Sequence, residues 1–285
     1  MTDLDRQPCA WITGAAGFIG SHLVSSAAQF APQWTIRPLA RADADLLDAT
    51  AVRRLFQRER PDLVIHCAAL SRSTDCQREP ALARRINVDA TALLAELAAD
   101  IPFFFFSTDL VFDGRKGHYS ELDPVNPLNV YAETKVDAER IVLANPRHTV
   151  IRTSLNCGRS PGGDRGLDEQ LRRAFERGES IRLFEDEYRS PIPVRATVRA
   201  VWELVRQSRP GLYHLAGSER LSRWQIGQLI ASRYPQLHPR LVKGSRVHYE
   251  GPTRPADTSL DCSRIQGLLS FTLPRLSDWI AAGTD

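Results

Sequence analysis

The sequence predicts a doubly wound α/β fold, a parallel sheet with helices on both faces, and three observations carry that prediction. Short, near-continuous apolar runs alternate with longer amphipathic segments through residues 1–153. Three glycines, Gly14, Gly17 and Gly20, stand between the first apolar run and the first amphipathic one. Tyr131 and Lys135 fall four apart on the last predicted helix of the alternation.

Taken in order, "CAWIT" (9–13) reads as a buried strand and "FIGSHLVSSAAQF" (18–30) as the helix after it. "WTIRPLA" (34–40) is a second strand, and "ATAVRRLFQRER" (49–60) a helix with Val52, Leu55 and Phe56 at helical spacing. "PDLVIHCAA" (61–69) is a third strand, and "EPALARRINVDATALLAELAAD" (79–100) one long helix with Pro80 in its first turn. "IPFFFFSTD" (101–109), a helix over 129–145 and "HTVIRTS" (148–154) complete the alternation. Strands that are apolar throughout are buried on both faces. Right-handed crossovers between parallel strands then lead to the doubly wound, Rossmann-like arrangement.

After residue 154 the pattern loosens. A polar helix over 162–179 precedes a strand over 181–194 that runs into a proline-marked loop. Then come a helix over 194–207, a short strand "GLYHLAG" (211–217) and a helix over 222–234 with Ser222 as its cap. No internal repeat or low-complexity linker separates the halves, so the second half reads as insertions on the same domain.

Composition narrows the function classes. With 37 basic and 34 acidic residues interspersed, a net charge of +3 marks a mixed solvated surface and predicts no nucleic-acid partner. "IPFFFF" has strand length, well short of the roughly 18 apolar residues of a membrane span. The opening "MTDLDRQP" is acidic and polar, unlike a signal peptide. Five cysteines, odd in number and without metal-ligand spacing, suit a reducing cytoplasm, with Cys9 and Cys67 as small core residues. His22, His66, His118 and His148 are scattered and fit no metal template, so no metal is expected.

The glycine cluster predicts a dinucleotide cradle. Gly14 permits the tight turn leaving the strand, Gly17 lets backbone approach a pyrophosphate, and Gly20 lets helix and strand pack closely. Ala16, Phe18 and Ile19 fill the positions between and beside them, where helix N-terminal amides meet the anion. Ser21 and His22 follow Gly20, which argues against an ATP-binding P-loop. At the end of the second strand no acid precedes Asp43, whereas Arg37 and Arg41 are present and Arg41 is better placed. An arginine there suits a 2′-phosphate, so NADP(H) is expected over NAD(H).

Tyr131 and Lys135 share one helix face, and an ammonium beside a phenol favours the phenolate. Together they predict a group that gives a proton to a forming alkoxide. The fourth strand ends in Ser107, Thr108 and Asp109, at the sheet edge where doubly wound folds bind ligands, so Thr108 is expected on the substrate carbonyl with Asp109 beside it.

These residues resemble a known family. "TGAAGFIG", "INVDAT" and "YAETK" are similar to the extended short-chain dehydrogenase/reductases. "STDLVFDG…YSELDPVNPLNVYAETKVDAE", with "IRTS", "GLYHLAG" and "RPADTSLDCSRI" after it, resembles their dTDP-4-dehydrorhamnose reductase branch over nearly the whole chain. The resemblance implies Tyr131 as general acid, Lys135 as its electrostatic partner and ribose anchor, and Thr108 as the carbonyl-orienting hydroxyl. It places Asp45 and Leu46 at the adenine, Ala68 and Ala69 against the cofactor, Asn87 in a supporting part, and Arg254 near a substrate diphosphate. It further implies a cofactor-binding core over 1–153, a mostly substrate-binding lobe over 154–285 with segments returning to the core, and a homodimer.

Two positions depart from the branch: Leu110 stands where it usually has tyrosine, and Leu155 where it usually has tryptophan. They leave open another 4-ketosugar or another carbonyl compound. Leu110 also occupies the place of the glutamate of 4,6-dehydratases, and leucine moves no protons. A nucleotide-sugar epimerase remains an alternative. So does a non-catalytic nucleotide-binding subunit, since the branch resembles the regulatory β subunit of methionine adenosyltransferase.

Overall fold

The computed structural model describes residues 6–283, so the opening "MTDLD" read above lies outside the described residues. Its centre is a six-stranded sheet, parallel throughout. The chain enters through β1 (Cys9–Thr13), α1 (Phe18–Phe30), β2 (Thr35–Leu39), α2 (Ala49–Glu59) and β3 (Leu63–His66). Next come α3 (Ser73–Arg78), α4 (Pro80–Arg84), α5 (Ala90–Leu97), β4 (Phe103–Thr108), α6 (Val130–Leu143) and β5 (His148–Thr153).

The second half contributes β6 (Asn156–Cys157), α7 (Leu167–Glu176), β7 (Ser180–Phe184), β8 (Tyr188–Arg189), β9 (Ile192–Pro193) and α8 (Val194–Gln207). After these follow β10 (Gly211–Leu215), β11 (Leu221–Ser222), α9 (Arg223–Arg233), β12 (Arg240–Gly244), α10 (Ser263–Gln266) and α11 (Leu276–Ala281).

Continuous apolar strands dictate the layering. Side chains alternate across a sheet, so Ala10, Ile12, Phe104 and Phe106 pack with α1 and α8 on one face. Trp11, Phe103 and Phe105 pack with α5 and α6 on the other. The strand order is β2-β1-β3-β4-β5-β10. From β1 the chain steps outward to β2 and then returns past β1 to β3. The connections therefore diverge between β1 and β3, which opens a crevice at their carboxyl ends.

Segments after residue 154 enter this frame: α8 packs on α1, and β10 extends the sheet beside β5. A separate apolar cluster, with Leu171, Phe175, Ile226 and Ile230, lies under α7 and α9. Ser222 caps α9 with a full capping box, as its sequence position suggests. One expectation fails: residues 79–100 do not form one regular helix, because a π-helical turn, Arg85–Asp89, separates α4 from α5. Cys9 and Cys67 are half-buried residues packed against the core clusters, and Cys67 also lines a cleft.

Candidate active site

The glycine turn is built as the sequence requires. Gly14 has φ of 65°, and a Cβ there would lie 2.7 Å from the amide nitrogen of Ala68. Conformation and space both exclude a side chain. A Cβ on Gly20 would collide with the Gly14 carbonyl, and one on Gly17 would come within 3.0 Å of it. Gly17 N–H donates to the Gly14 carbonyl at 2.8 Å and closes the turn. Gly17 is the N-cap of α1 without a side-chain cap, so the amides of its first turn are available to an anion.

In front of this turn lies a cleft of about 1260 Å³, larger than the roughly 300–1,000 Å³ that serves one small molecule. Gly14, Gly17 and Gly20 line it together with Ala16, Phe18 and Ile19, and Ala68 and Ala69 face them from the loop after β3. Arg41, Asp45 and Leu46 line the end beyond β2. Arg37 does not: its guanidinium donates to Glu59 at 3.2 Å and pairs with Asp43 at 3.7 Å. Arg41 is exposed, and among the described residues its guanidinium has no ion-pair partner.

Thr108, Tyr131 and Lys135 line the same cleft. Thr108 ends β4, and its hydroxyl accepts from Leu110 N–H at 3.2 Å, capping a 3-10 turn over Asp109–Val111. Asn129 caps α6 by accepting from Ala132 N–H at 3.0 Å, which sets the helix start and thereby the face carrying Tyr131 and Lys135. Tyr131 and Thr108 line the same wall of the cleft. Lys135 is buried with Nζ 3.9 Å from the centre of the Phe105 ring.

One electrostatic expectation is reversed. Burial pushes the Tyr131 phenol up and the Lys135 ammonium down to about 7. Water is stripped from both groups, which penalises phenolate and ammonium alike. The nearby Thr108 hydroxyl and the Arg189 charge lower the phenol, while Cys76 and Asp109 raise it.

Asn87 sits inside the π-helical turn, almost fully buried. Its Oδ1 accepts from Leu70 N–H at 2.8 Å, and its Nδ2 donates to the Leu70 carbonyl and to Thr134 Oγ1, each at 3.0 Å. It thus ties the loop after β3 to α6, between Tyr131 and Lys135. The extra backbone residue of a π turn redirects one side chain without ending the helix.

The position of Asp109 needs correction. Its carboxylate is fully buried, does not line the cleft, and is held by Arg189, Ser154 and Thr258. Arg254 does line the cleft, with its guanidinium 3.0 Å from Glu187. The sequence reading missed the carboxylate that holds that arginine, Glu187, and the second arginine held with it, Arg223. Glu187 is 1% exposed and meets Arg223 at 2.8 Å, Arg254 at 3.0 Å and Arg189 at 3.8 Å. Burial pushes the Glu187 carboxyl up, but the three arginines outweigh it and hold it at about 2.

Arg223 also lines the cleft, so one buried carboxylate anchors two cleft-facing cations. A basic residue opening α9 opposes the helix dipole, and that mismatch was the available signal. Of the two departures from the resemblance, Leu155 lines the cleft and Leu110 does not. Among the described residues no His, Cys, Asp or Glu group suited to a metal ion is found, and no helix is long and apolar enough to cross a membrane.

Comparison with known proteins now adds to this geometry. The pattern of the RmlD substrate binding domain family matches residues 10–282. A dTDP-4-dehydrorhamnose reductase of Sinorhizobium fredii is 30% identical over 92% of this chain and 92% of its own. The methionine adenosyltransferase 2 subunit beta of Bos taurus is also 30% identical, over 90% of this chain and 81% of its own. Among solved structures, a hypothetical dTDP-4-dehydrorhamnose reductase of Sulfolobus tokodaii superposes with a TM-score of 0.85 at 29% identity, covering 94% of this chain and 97% of its own. A dTDP-4-dehydrorhamnose reductase of Bacillus anthracis, in complex with NADP, shares the fold with a TM-score of 0.89 at 23% identity, over 97% of this chain and 98% of its own.

Proposed function

We propose that this chain, which belongs to the RmlD substrate binding domain family, is a nicotinamide-dependent reductase of a carbonyl group, with a nucleotide-linked 4-keto-6-deoxy sugar as substrate. The observation that carries the reading is one cleft lined both by the glycine turn and by Thr108, Tyr131 and Lys135. The residues suit a dinucleotide: the cradle is where a Cβ would fill space, and the first turn of α1 has no side-chain cap. Gly14, Gly17 and Gly20 would hold the pyrophosphate with Ala16, Phe18 and Ile19. Asp45 and Leu46 would border the adenine, and Ala68 and Ala69 would flank the cofactor. Bound there, the cofactor supplies a hydride.

The chain's own residues handle the carbonyl oxygen. Thr108, its hydroxyl proton turned from Asp109 to the substrate, would orient it, and Tyr131 would deliver a proton to the alkoxide oxygen as the carbonyl carbon is reduced. A phenol pushed up by burial is fully protonated at neutral pH, the state a donor needs, and an alkoxide is basic enough to take its proton. Lys135 would anchor the cofactor's ribose, and burial brings its ammonium down to about 7. Arg254 and Arg223, tethered through Glu187, would meet the substrate's diphosphate. The lobe over 154–285, apart from α8 and β10, would then cover the sugar and nucleotide, with Leu155 shaping the sugar pocket.

Arg41 supports NADP(H) over NAD(H), because it lines the cleft beyond β2 while Arg37 is engaged by Glu59. Arg41→Ala is expected to lower kcat/KM for NADPH by roughly tenfold, about 1.4 kcal/mol, and to leave the NADH value nearly unchanged. Equal losses with both cofactors would remove the 2′-phosphate assignment. A homodimer and a reducing, cytoplasmic setting for five free cysteines belong to the same proposal.

The similarity to a methionine adenosyltransferase subunit motivates a second reading, a nucleotide-binding regulatory subunit. Thr108, Tyr131 and Lys135, all present on the cleft wall, favour an enzyme. The two are separated by whether the chain alone consumes NADPH.

A further inference from the structure

The buried pair beneath Thr108 has no place in the mechanism above. Asp109 has no exposed surface and the Arg189 side chain is 5% exposed. Arg189 Nε donates to Asp109 Oδ2 at 2.5 Å, and its Nη2 donates to Oδ1, a two-pronged contact from β8. Ser154 donates to Oδ2 at 2.7 Å from the segment after β5, and Thr258 donates to the same oxygen at 3.3 Å. Thr108 Oγ1 donates to Oδ1 at 3.2 Å.

A buried ion pair is weak grounds for stability, because well-packed apolar residues often serve as well. Its location is informative. The carboxylate accepts from the hydroxyl of Thr108, which lines the cleft with Tyr131, and it gathers the chain segments at 154, 189 and 258 beneath that residue.

We propose that the Asp109–Arg189 pair is a positioning element for the cleft wall at Thr108, holding the threonine hydroxyl and balancing a negative against a positive charge beside the Tyr131 phenol. The proposal rests on the reductase reading for its purpose, but its physical content belongs to the folded chain. The charged and titratable groups facing Tyr131 are Cys76 from α3, Asp109 from the 3-10 turn, Arg189 from β8, and Lys135 one turn along α6. Burial pushes the Cys76 thiol up to about 11, so it is neutral near pH 7. Asp109 opposes the phenolate and Arg189 favours it. Removing either charge leaves the other unbalanced, with opposite consequences for Tyr131. Arg189 also pairs with Glu187 at 3.8 Å.

The test places 3,5-difluorotyrosine at position 131 of the full chain and follows its fluorine resonance against pH. The ring fluorines make the phenol more acidic and bring its titration into a range the fold tolerates. Asp109→Asn should lower the midpoint by about one unit or more, and Arg189→Met should raise it by a similar amount. Arg189→Lys, which keeps the charge and loses the fork, should shift it less than Arg189→Met.

Shifts of one sign in both variants, or no shift in either, overturn the proposal, because a purely structural role has no reason to act in opposite directions. If Arg189→Met does not fold, Asp109→Asn decides: a lowered midpoint supports the pair's role, and an unmoved one overturns it. Turnover is measured in parallel on the unlabelled wild-type chain. Its absence would sink the reductase reading, while the fluorine titration still decides this proposal.

Discussion

Replacing Tyr131 with phenylalanine is expected to cut turnover by about 10²–10⁴-fold, the usual contribution of a positioned proton donor. Phenylalanine fills nearly the same space and keeps the α6 start set by Asn129, so the cleft stays intact. Affinity for NADPH, followed by fluorescence titration, should change only a few-fold. The glycine turn, which would carry the pyrophosphate, is made by a separate segment of the chain. The comparison separates chemistry from binding. Near-normal turnover in Tyr131→Phe would overturn the acid assignment, and a parallel collapse of affinity would mean the tyrosine serves the fold instead.

Replacing Glu187 with alanine is expected to destabilise the protein by about 3–5 kcal/mol, because it leaves the Arg223 guanidinium without its counter-charge. Arg223 has 15% side-chain exposure, so water does not reach its guanidinium freely, whereas Arg189 keeps Asp109. Arg254, at 33% exposure, is better able to rehydrate. Urea unfolding at neutral pH reads the loss directly. The pH dependence has a definite sign. The Glu187 carboxyl lies at about 2 in the folded chain against an ordinary 4.5. Its stabilisation is therefore fully present above about 4.5 and is lost as pH falls through about 2. A change under about 1 kcal/mol in Glu187→Ala would show that the arginines find other partners.

Much of this site is legible in the sequence because its parts are local. Gly14 needs a left-handed backbone and close approach to Ala68, and a glycine between a strand and a helix announces both. Tyr131 and Lys135 announce themselves by helical spacing, and both line the cleft. Arg41 is separated from Arg37 by position at the strand end, and the structure adds the reason, a Glu59 carboxylate delivered by α2.

What the sequence conceals is long-range or short. Asp109 meets Arg189 across 80 positions, and Glu187 meets Arg254 across 67, distances over which no periodicity speaks. The π-helical turn that aims Asn87 arises from backbone hydrogen bonding within an otherwise helical pattern. Strands of two residues, such as β6 and β8, hold too few side chains for alternation to show. The direction of the Tyr131 and Lys135 shifts depends on burial, which four-residue spacing does not report.

The most direct measurement is NADPH oxidation by the purified chain offered dTDP-4-keto-6-deoxy sugars, with NADH run beside it. Turnover that is faster with NADPH is the predicted result. Binding of NADPH without turnover of any of these sugars would contradict the reductase assignment and favour a nucleotide-binding subunit that acts through a partner.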